Sequence, residues 1–466
     1  MTEALDGLDT HGWNALTASL EEPRLITRSK YVAVPVWGYS ESAVSLAGDR
    51  ERPWDPPFEQ RPQYHGPDAN VLDAHPLVRE YFACELRKVC QDGWREGHRR
   101  IYEHLCRSVP HWPEGLEGLQ PLYQAVVHGC AAGLEADVCW KVFYARIQRS
   151  SRHYSREILG AINADLAALA CFFERTWDTL ITGLDENTQS YVLHEAGYSL
   201  RALGRLSDAL VPLKVGFEKY LQIDWYPAAI SAGDLSELEL KLGQTHTAIE
   251  TATKSVDCAD RSPEDFLRVA RRTTLADALH QVGDIVNARA RFEEAEAIQA
   301  RSQPFWPRLY SLQGYRYCDL LLRPAEREAW LAVQSHPVLI DDHVKLCQSA
   351  IDRAKYAMGL NGTVHEWLLE IALNHLTLGR AALYAALLLV PPAHTTLPAL
   401  SFTAARTHLD AAVDGLRKAC GFDYLPSALI TRARLLHRTD PDLARHDLDN
   451  AQTLAVAYKG HNIAQI

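Results

Sequence analysis

The chain has 466 residues, 47% apolar and 23% charged, which are ordinary globular values and exclude wholesale disorder. Lys and Arg number 48 against 59 Asp and Glu, so the net charge is −11 and the chain is a poor general binder of nucleic acid or anionic membrane. A cytoplasmic protein is expected, because residues 1–6 carry acid where a secretory signal carries base, and the apolar run 381–390 is too short to span a bilayer. The ten scattered cysteines include no C-x-x-C, so zinc-ribbon and thioredoxin chemistry lack their basic spacing, and small buried thiols in a reducing compartment are expected.

In chain order, Trp13, Leu16 and Leu20 share one helical face. Tyr31-Val-Ala-Val-Pro-Val36 combines alternation with Val enrichment and reads as the one convincing strand. Residues 52–67 hold Pro53, Pro56, Pro57, Pro62 and Pro67, a loop or linker. Residues 72–82 read as a helix with Pro76 in its first turn. Residues 125–145 form a leading helix pair with Gly133 at its turn. Arg146, Arg149, Arg152 and Arg156 then recur at helical spacing beside Tyr154. They form either a solvated face or a phosphate or acidic-partner contact, and Ser150-Ser151 interrupts the helix.

Three segments next share one pattern. Each carries a glycine (Gly204, Gly243, Gly283) and an alanine five residues later (Ala209, Ala248, Ala288), with Ala-to-Ala steps of 39 and 40 residues. The glycine ends a first helix by entering the left-handed region, and the alanine lets a second helix approach closely. A helix pair this short cannot bury its apolar face alone, so neighbouring pairs must stack. Gly314-Tyr315-Arg316-Tyr317-Cys318 fits the first helix of a fourth unit, followed by an insertion over 323–341 and a helix over 344–357. Leu376-Thr-Leu-Gly379 opens a further unit, and Ala405 and Ala444 begin second helices 39 residues apart.

The pattern resembles the tetratricopeptide repeat, which wants small residues at positions eight and twenty, a large apolar one at eleven and an aromatic at twenty-four. Ala276, Leu279, Ala288 and Phe292 match, as do Gly197, Leu200 and Ala209, whereas Ser236 and Glu239 depart in the second unit. Residues 72–82 resemble the closing helix of the winged-helix segment in bacterial STAND-type (NACHT and NB-ARC class) signalling proteins. Residues 13–28 resemble earlier winged-helix elements, and 94–105 and 123–133 the first helices of the sensor. Residues 40–64 match poorly, so that segment is incomplete. The resemblance implies an all-α fold: a partial winged-helix region with a Pro-rich loop over 1–82, then a right-handed superhelical solenoid over 83–466, with strand only before residue 80. In STAND proteins a nucleotidase precedes these parts, but no G-x-x-x-x-G-K-[ST] occurs, so no nucleotide binding or ATP hydrolysis is expected of this chain alone.

Catalytic motifs are absent. His365-Glu366 lacks a second His at 369, Asp341-Asp342-His343 reads as a helix start with acids near the positive dipole end, and Gly38-Tyr-Ser-Glu-Ser42 lacks the second glycine of a nucleophile elbow. No enzyme, cofactor or metal is expected. The first helices of a tetratricopeptide array line its concave groove, which places His194, Tyr198, Arg201, Asp234, Glu237, Thr273, Asp277, His280, Ser311 and Tyr315 inward as an exposed partner-binding row. The expected function is a non-enzymatic sensor or scaffold module that binds a protein or peptide in this groove and, as the resemblance implies, serves a STAND-type switch through a separately encoded nucleotidase. The alternative is a winged-helix transcription regulator whose repeats sense an effector, against which the acidic charge counts.

Overall fold

In the computed structural model, which describes residues 26–29, 71–74, 76–334, 340–359, 368–389, 399–437 and 439–457, three helices end on the same glycine device. Gly204, Gly243 and Gly283 have φ of 76°, 78° and 89°. The Gly204 N–H donates to Arg201 O and the Arg205 N–H to Leu200 O, and the same paired bonds recur at Gly243–Gln244 and Gly283–Asp284. Each is a Schellman closure that satisfies two terminal carbonyls. The alanines five residues on, Ala209, Ala248 and Ala288, have no solvent exposure.

The chain divides into two compact units, Met1–Tyr154 and Ser155–Ile466. In the first, β1 (Ile26–Ser29) pairs antiparallel with β2 (Val71–Ala74), Ile26 opposite Ala74 and Ser29 opposite Val71. Val71–Ala74 was expected to lie mostly within a helix; it is strand, and α1 (Pro76–Val89) begins at the proline. The Trp13 helix, the Tyr31 strand and the Pro-rich loop lie outside the described residues. After α2 (Gln91–Arg107) and α3 (Gly115–Ala131), Gly133 makes the expected turn (φ 82°), but the following helix, Val138–Ile147, is π-helical. Leu119, Leu122, Val126, Val142, Phe143 and Ile147 form this unit's buried centre.

The second unit opens with α4 (Ile162–Leu169) and a two-stranded hairpin, β3 (Phe173–Arg175) and β4 (Thr179–Leu180). The expectation of strand only before residue 80 fails here. The hairpin holds five residues and precedes the repeats, so it leaves the array intact.

Six helix pairs follow: α5 (Glu186–Ala202) with α6 (Leu206–Tyr220), α7 (Trp225–Lys241) with α8 (Thr245–Arg261), and α9 (Asp265–Gln281) with α10 (Ile285–Ser302). Then come α11 (Ser311–Val333) with α12 (Ile340–Gly359), α13 (Leu368–Leu389) with α14 (Ala399–Lys418), and α15 (Leu425–Leu436) with α16 (Pro441–Ala457). First helices stack in order from α5 to α15. The protein is an all-α, tetratricopeptide-like solenoid. Close approach within pairs rests on small residues: a Cβ on Gly197 would come within 2.5 Å of the Leu213 side chain, and one on Gly379 within 2.7 Å of Leu409.

The insertion expected to begin at Arg323 does not start there. α11 runs through Pro324 to Val333 because Ala325 and Ala329 continue the buried face of Leu321 and Leu322. Residues 381–389 of the apolar run are the end of the 22-residue α13, the one helix among the described residues long and apolar enough to cross a membrane. It lies in the repeat core, with Leu383 and Tyr384 each 1% exposed. All ten cysteines are free.

Candidate functional site

The first helices of the second unit carry a run of charged side chains one residue after the small position that faces the partner helix. Ser236 donates its hydroxyl to Ala248 O at 2.7 Å, which is how this departure from the repeat consensus is accommodated. Cys318 Sγ faces Ala350 O at 4.0 Å in the fourth pair in the same way. The residues that follow small positions are Glu237, Asp277, Asp319 and Arg380, and all four line one cavity of about 1010 Å³. Its walls come from α7, α9, α10, α11, α12, α13 and α15, with Tyr315 and Tyr424 as the aromatic contribution.

The cavity is closed on one side by the turn 419–424 between α14 and α15. Lys241 Nζ donates to Asp423 O at 3.3 Å and lies 3.7 Å from its carboxylate, across 182 residues of sequence. The Tyr424 ring lies 5.7 Å from that of Tyr315, edge-on, and 4.9 Å from Lys241 Nζ. Cys420 Sγ reaches Gly160 O at 3.5 Å, and Gly160 (φ 63°) is the close-approach point: a Cβ there would sit 2.5 Å from Lys418 O.

Buried charges of the wall pair with one another. Glu237 accepts from Arg201 and from Arg316, which also donates to Thr274 Oγ1 at 3.0 Å. Burial opposes the Glu237 charge, but Arg316 and Arg201 prevail and hold the carboxyl well below the usual carboxylate range. Arg380 donates to Asp319 at 2.5 Å and Glu326 at 3.2 Å, and Arg434 completes Glu326 at 3.0 Å. Burial raises the Asp277 pKa, against the pull of Arg316 at 3.6 Å. Burial lowers that of His280, whose ring lies 3.6 Å from Asp319 and has no exposure.

The ten residues expected in an exposed groove are distributed differently. Glu237, Asp277 and Tyr315 line the large cavity, while Tyr198 and Arg201 line a smaller one of about 50 Å³ beside the turn 419–424. His194, Asp234, Thr273, His280 and Ser311 line neither. His194 lies 3.5 Å from the Asp234 carboxylate, and Thr273 donates to Ala270 O within its own helix. Ser311 donates to Glu370, whose carboxyl burial pushes up to about 7. Gly314 lies one helical turn before Cys318, so a register set on Gly314 points to Ser311 and Tyr315 where the packing point at Cys318 gives Tyr315 and Asp319.

Exposure is also corrected. Seven of these residues are less than a tenth exposed or sit in ion pairs, because successive first helices pack against one another; Arg201, at 6%, is a buried cation. The cavity residues that sequence reasoning missed, Arg316, Asp319, Arg380 and Tyr424, fall into two kinds. The register of small residues marks Asp319 and Arg380, whereas no periodic signal marks Tyr424, which arrives from a distant turn.

The arginine stripe is neither a solvated face nor an anion site. Arg146 donates to the carbonyls of Cys106, Val109, Pro110 and His111. Arg149 (φ 54°) is buried against the Tyr154 ring at 3.4 Å and Pro113 O at 2.8 Å, Arg152 is exposed, and Arg156 pairs with Glu195 at 3.0 Å. Asp341, Asp342 and His343 begin α12, with Asp342 bonded to Lys345 at 2.9 Å. Among the described residues no three His, Cys, Asp or Glu side chains cluster as metal ligands. His365 and Glu366 lie outside them.

No family model matches the sequence, and neither does any curated protein. Several solved structures are similar to it, two of them as follows. One is a Rap protein complexed with competence and sporulation factor, 10% identical, TM-score 0.44, the match covering 82% of this chain and 98% of that one. The other is a signal transduction ATPase with numerous domains (STAND) protein with a tetratricopeptide repeat sensor from Pyrococcus horikoshii, 12% identical, TM-score 0.36, covering 84% of this chain and half of that one.

Proposed function

We propose that the chain is a non-enzymatic binding module whose second unit takes a peptide segment into the interior of its repeats. The observation that carries this reading is the cavity of about 1010 Å³, walled by charged and aromatic side chains from most of the repeat pairs. That volume lies at the top of the range for small-ligand sites, which run to about 1,000 Å³, and suits several residues of chain. The aromatic pair Tyr315 and Tyr424 supplies contact area, and fixed charges supply specificity. The module would act as a cytoplasmic sensor for a signalling partner, with residues 1–82 as a partial winged-helix region and a nucleotidase encoded separately.

Selection from a random-sequence displayed peptide library on the immobilised full chain tests the reading. Peptides should enrich on the wild type and fail to enrich on Gln281→Trp, which places an indole in the cavity. Enrichment no better than on a bare surface, or enrichment unaffected by Q281W, refutes it.

A further inference from the structure

We infer that the peptide taken by this cavity is acidic, and that its carboxylates pair with Arg289, Arg323 and Arg327. The inference rests on the peptide-binding reading above and adds the chemistry of the ligand.

Seven Lys and Arg side chains line the cavity against six Asp and Glu, in a chain whose net charge is −11. Location of the surplus matters more than its size. Five of the six acids already face cations: Glu237 holds two guanidinium groups, Asp319 holds Arg380, Glu326 holds Arg380 and Arg434, Asp423 holds Lys241, and Asp277 lies 3.6 Å from Arg316. No acid of the described residues lies within ion-pairing distance of Arg289 on α10 or of Arg323 and Arg327 on α11.

Arg323 and Arg327 stand four residues apart on one helix, so they share a face, and both are exposed. Arg289 joins them from the second helix of the preceding pair and is half-buried. Glu328 lines the same cavity without an ion pair and offsets at most one of the three charges. His343, also in the wall, adds no negative charge at any pH. Three like charges at one mouth repel one another, and carboxylates arriving there relieve that repulsion while gaining bidentate bonds, the geometry for which a guanidinium is built. Apolar side chains of the same lining, Ile285, Pro324 and Leu320, take the body of the chain between its charges. A bare inorganic anion would leave those side chains uncovered, which is why the observations favour a peptide.

The same library selection decides this separately from the parent reading. Peptides enriched on the full wild-type chain should be rich in Asp and Glu. Enrichment on Arg323→Glu with Arg327→Glu should lose that bias or reverse it, and the best acidic peptide should bind the double variant at least tenfold more weakly. Its affinity for wild type should fall as salt rises. The charge variants sit on exposed positions, so their melting should match wild type, and Arg301→Glu outside the cavity should leave the selection unchanged. A pool that enriches with no acidic bias, or a basic one, overturns this inference and leaves the binding module standing. An acidic pool that binds R323E/R327E like wild type overturns it as well. Absence of any enriched peptide overturns both, and tight binding of inorganic phosphate without peptide enrichment replaces the occupant.

Discussion

Replacing Glu237 by Gln removes the one charge that two buried guanidinium groups share. Glu237 is 7% exposed, Arg201 6% and Arg316 5%. Stripping one partner from a buried ion pair costs about 3–5 kcal/mol, because the remaining charge stays desolvated. The lower end applies here. Arg201 keeps Asp234 at 3.5 Å, and Arg316 keeps the Thr274 hydroxyl at 3.0 Å and Asp277 at 3.6 Å. With an unfolding entropy of ~2.1 cal/mol/K per residue over about 300 residues, a loss of about 3 kcal/mol lowers the melting temperature by about 5 °C. The acid side offers an independent check. The folded pKa of Glu237 lies below the ordinary 4.5, so its contribution is present above that pH and fades as pH falls beneath it. Circular dichroism melts of wild type and E237Q from pH 7 to pH 3 should therefore converge as pH drops. A variant that melts within 1 °C of wild type at pH 7 refutes the account of a charge-linked interior.

Four further outcomes are expected. Arg201→Ala should lower the melting temperature, since it vacates a buried partner of Glu237 and Asp234; an unshifted melt would return Arg201 to a solvated groove. Gly197→Ala should cost about 1–3 kcal/mol by overpacking against Leu213, read by urea unfolding, and no loss would mean the two helices yield freely. Glu370 has a folded pKa raised by burial to about 7, so its stabilising influence is complete below about 4.5 and is lost as pH rises through 7; Glu370→Gln should flatten the melting profile across that window. Burial lowers the pKa of His375 and His408, whose Nδ1 atoms lie 2.9 Å apart, so stability should fall as pH drops below 6.5, less steeply in His375→Asn.

Local rules were legible in the sequence and distant contacts were not. Gly204, Gly243 and Gly283 announced their turns because only a left-handed residue closes a helix this way, and Ala209, Ala248 and Ala288 announced close packing by their size. The continuation of α11 past Pro324 is a packing effect: Ala325 and Ala329 lie in the core, and their burial outweighs one missing backbone bond. Asp234, Thr273 and His280 read as solvent-facing because they are polar, whereas neighbouring helices pack over them. Gly314 and Cys318 are both small and one turn apart, and only the position of Ala350 distinguishes them as the packing point. The hairpin at 173–180 is too short for alternation to register, and the turn at 419–424 has no repeat signature at all.

That turn changes how the molecule should come apart. A repeat array held only by adjacent pairs behaves as a row of weakly linked segments, each able to fray from the end. Here the turn between the fifth and sixth pairs contacts Gly160, ahead of the first pair, and Lys241 of the second pair. Opening a terminal pair therefore strips contacts from the opposite end as well, and the two ends lose their independence. The unit gains the all-or-none unfolding of a globular domain while keeping the sequence grammar of an open-ended repeat.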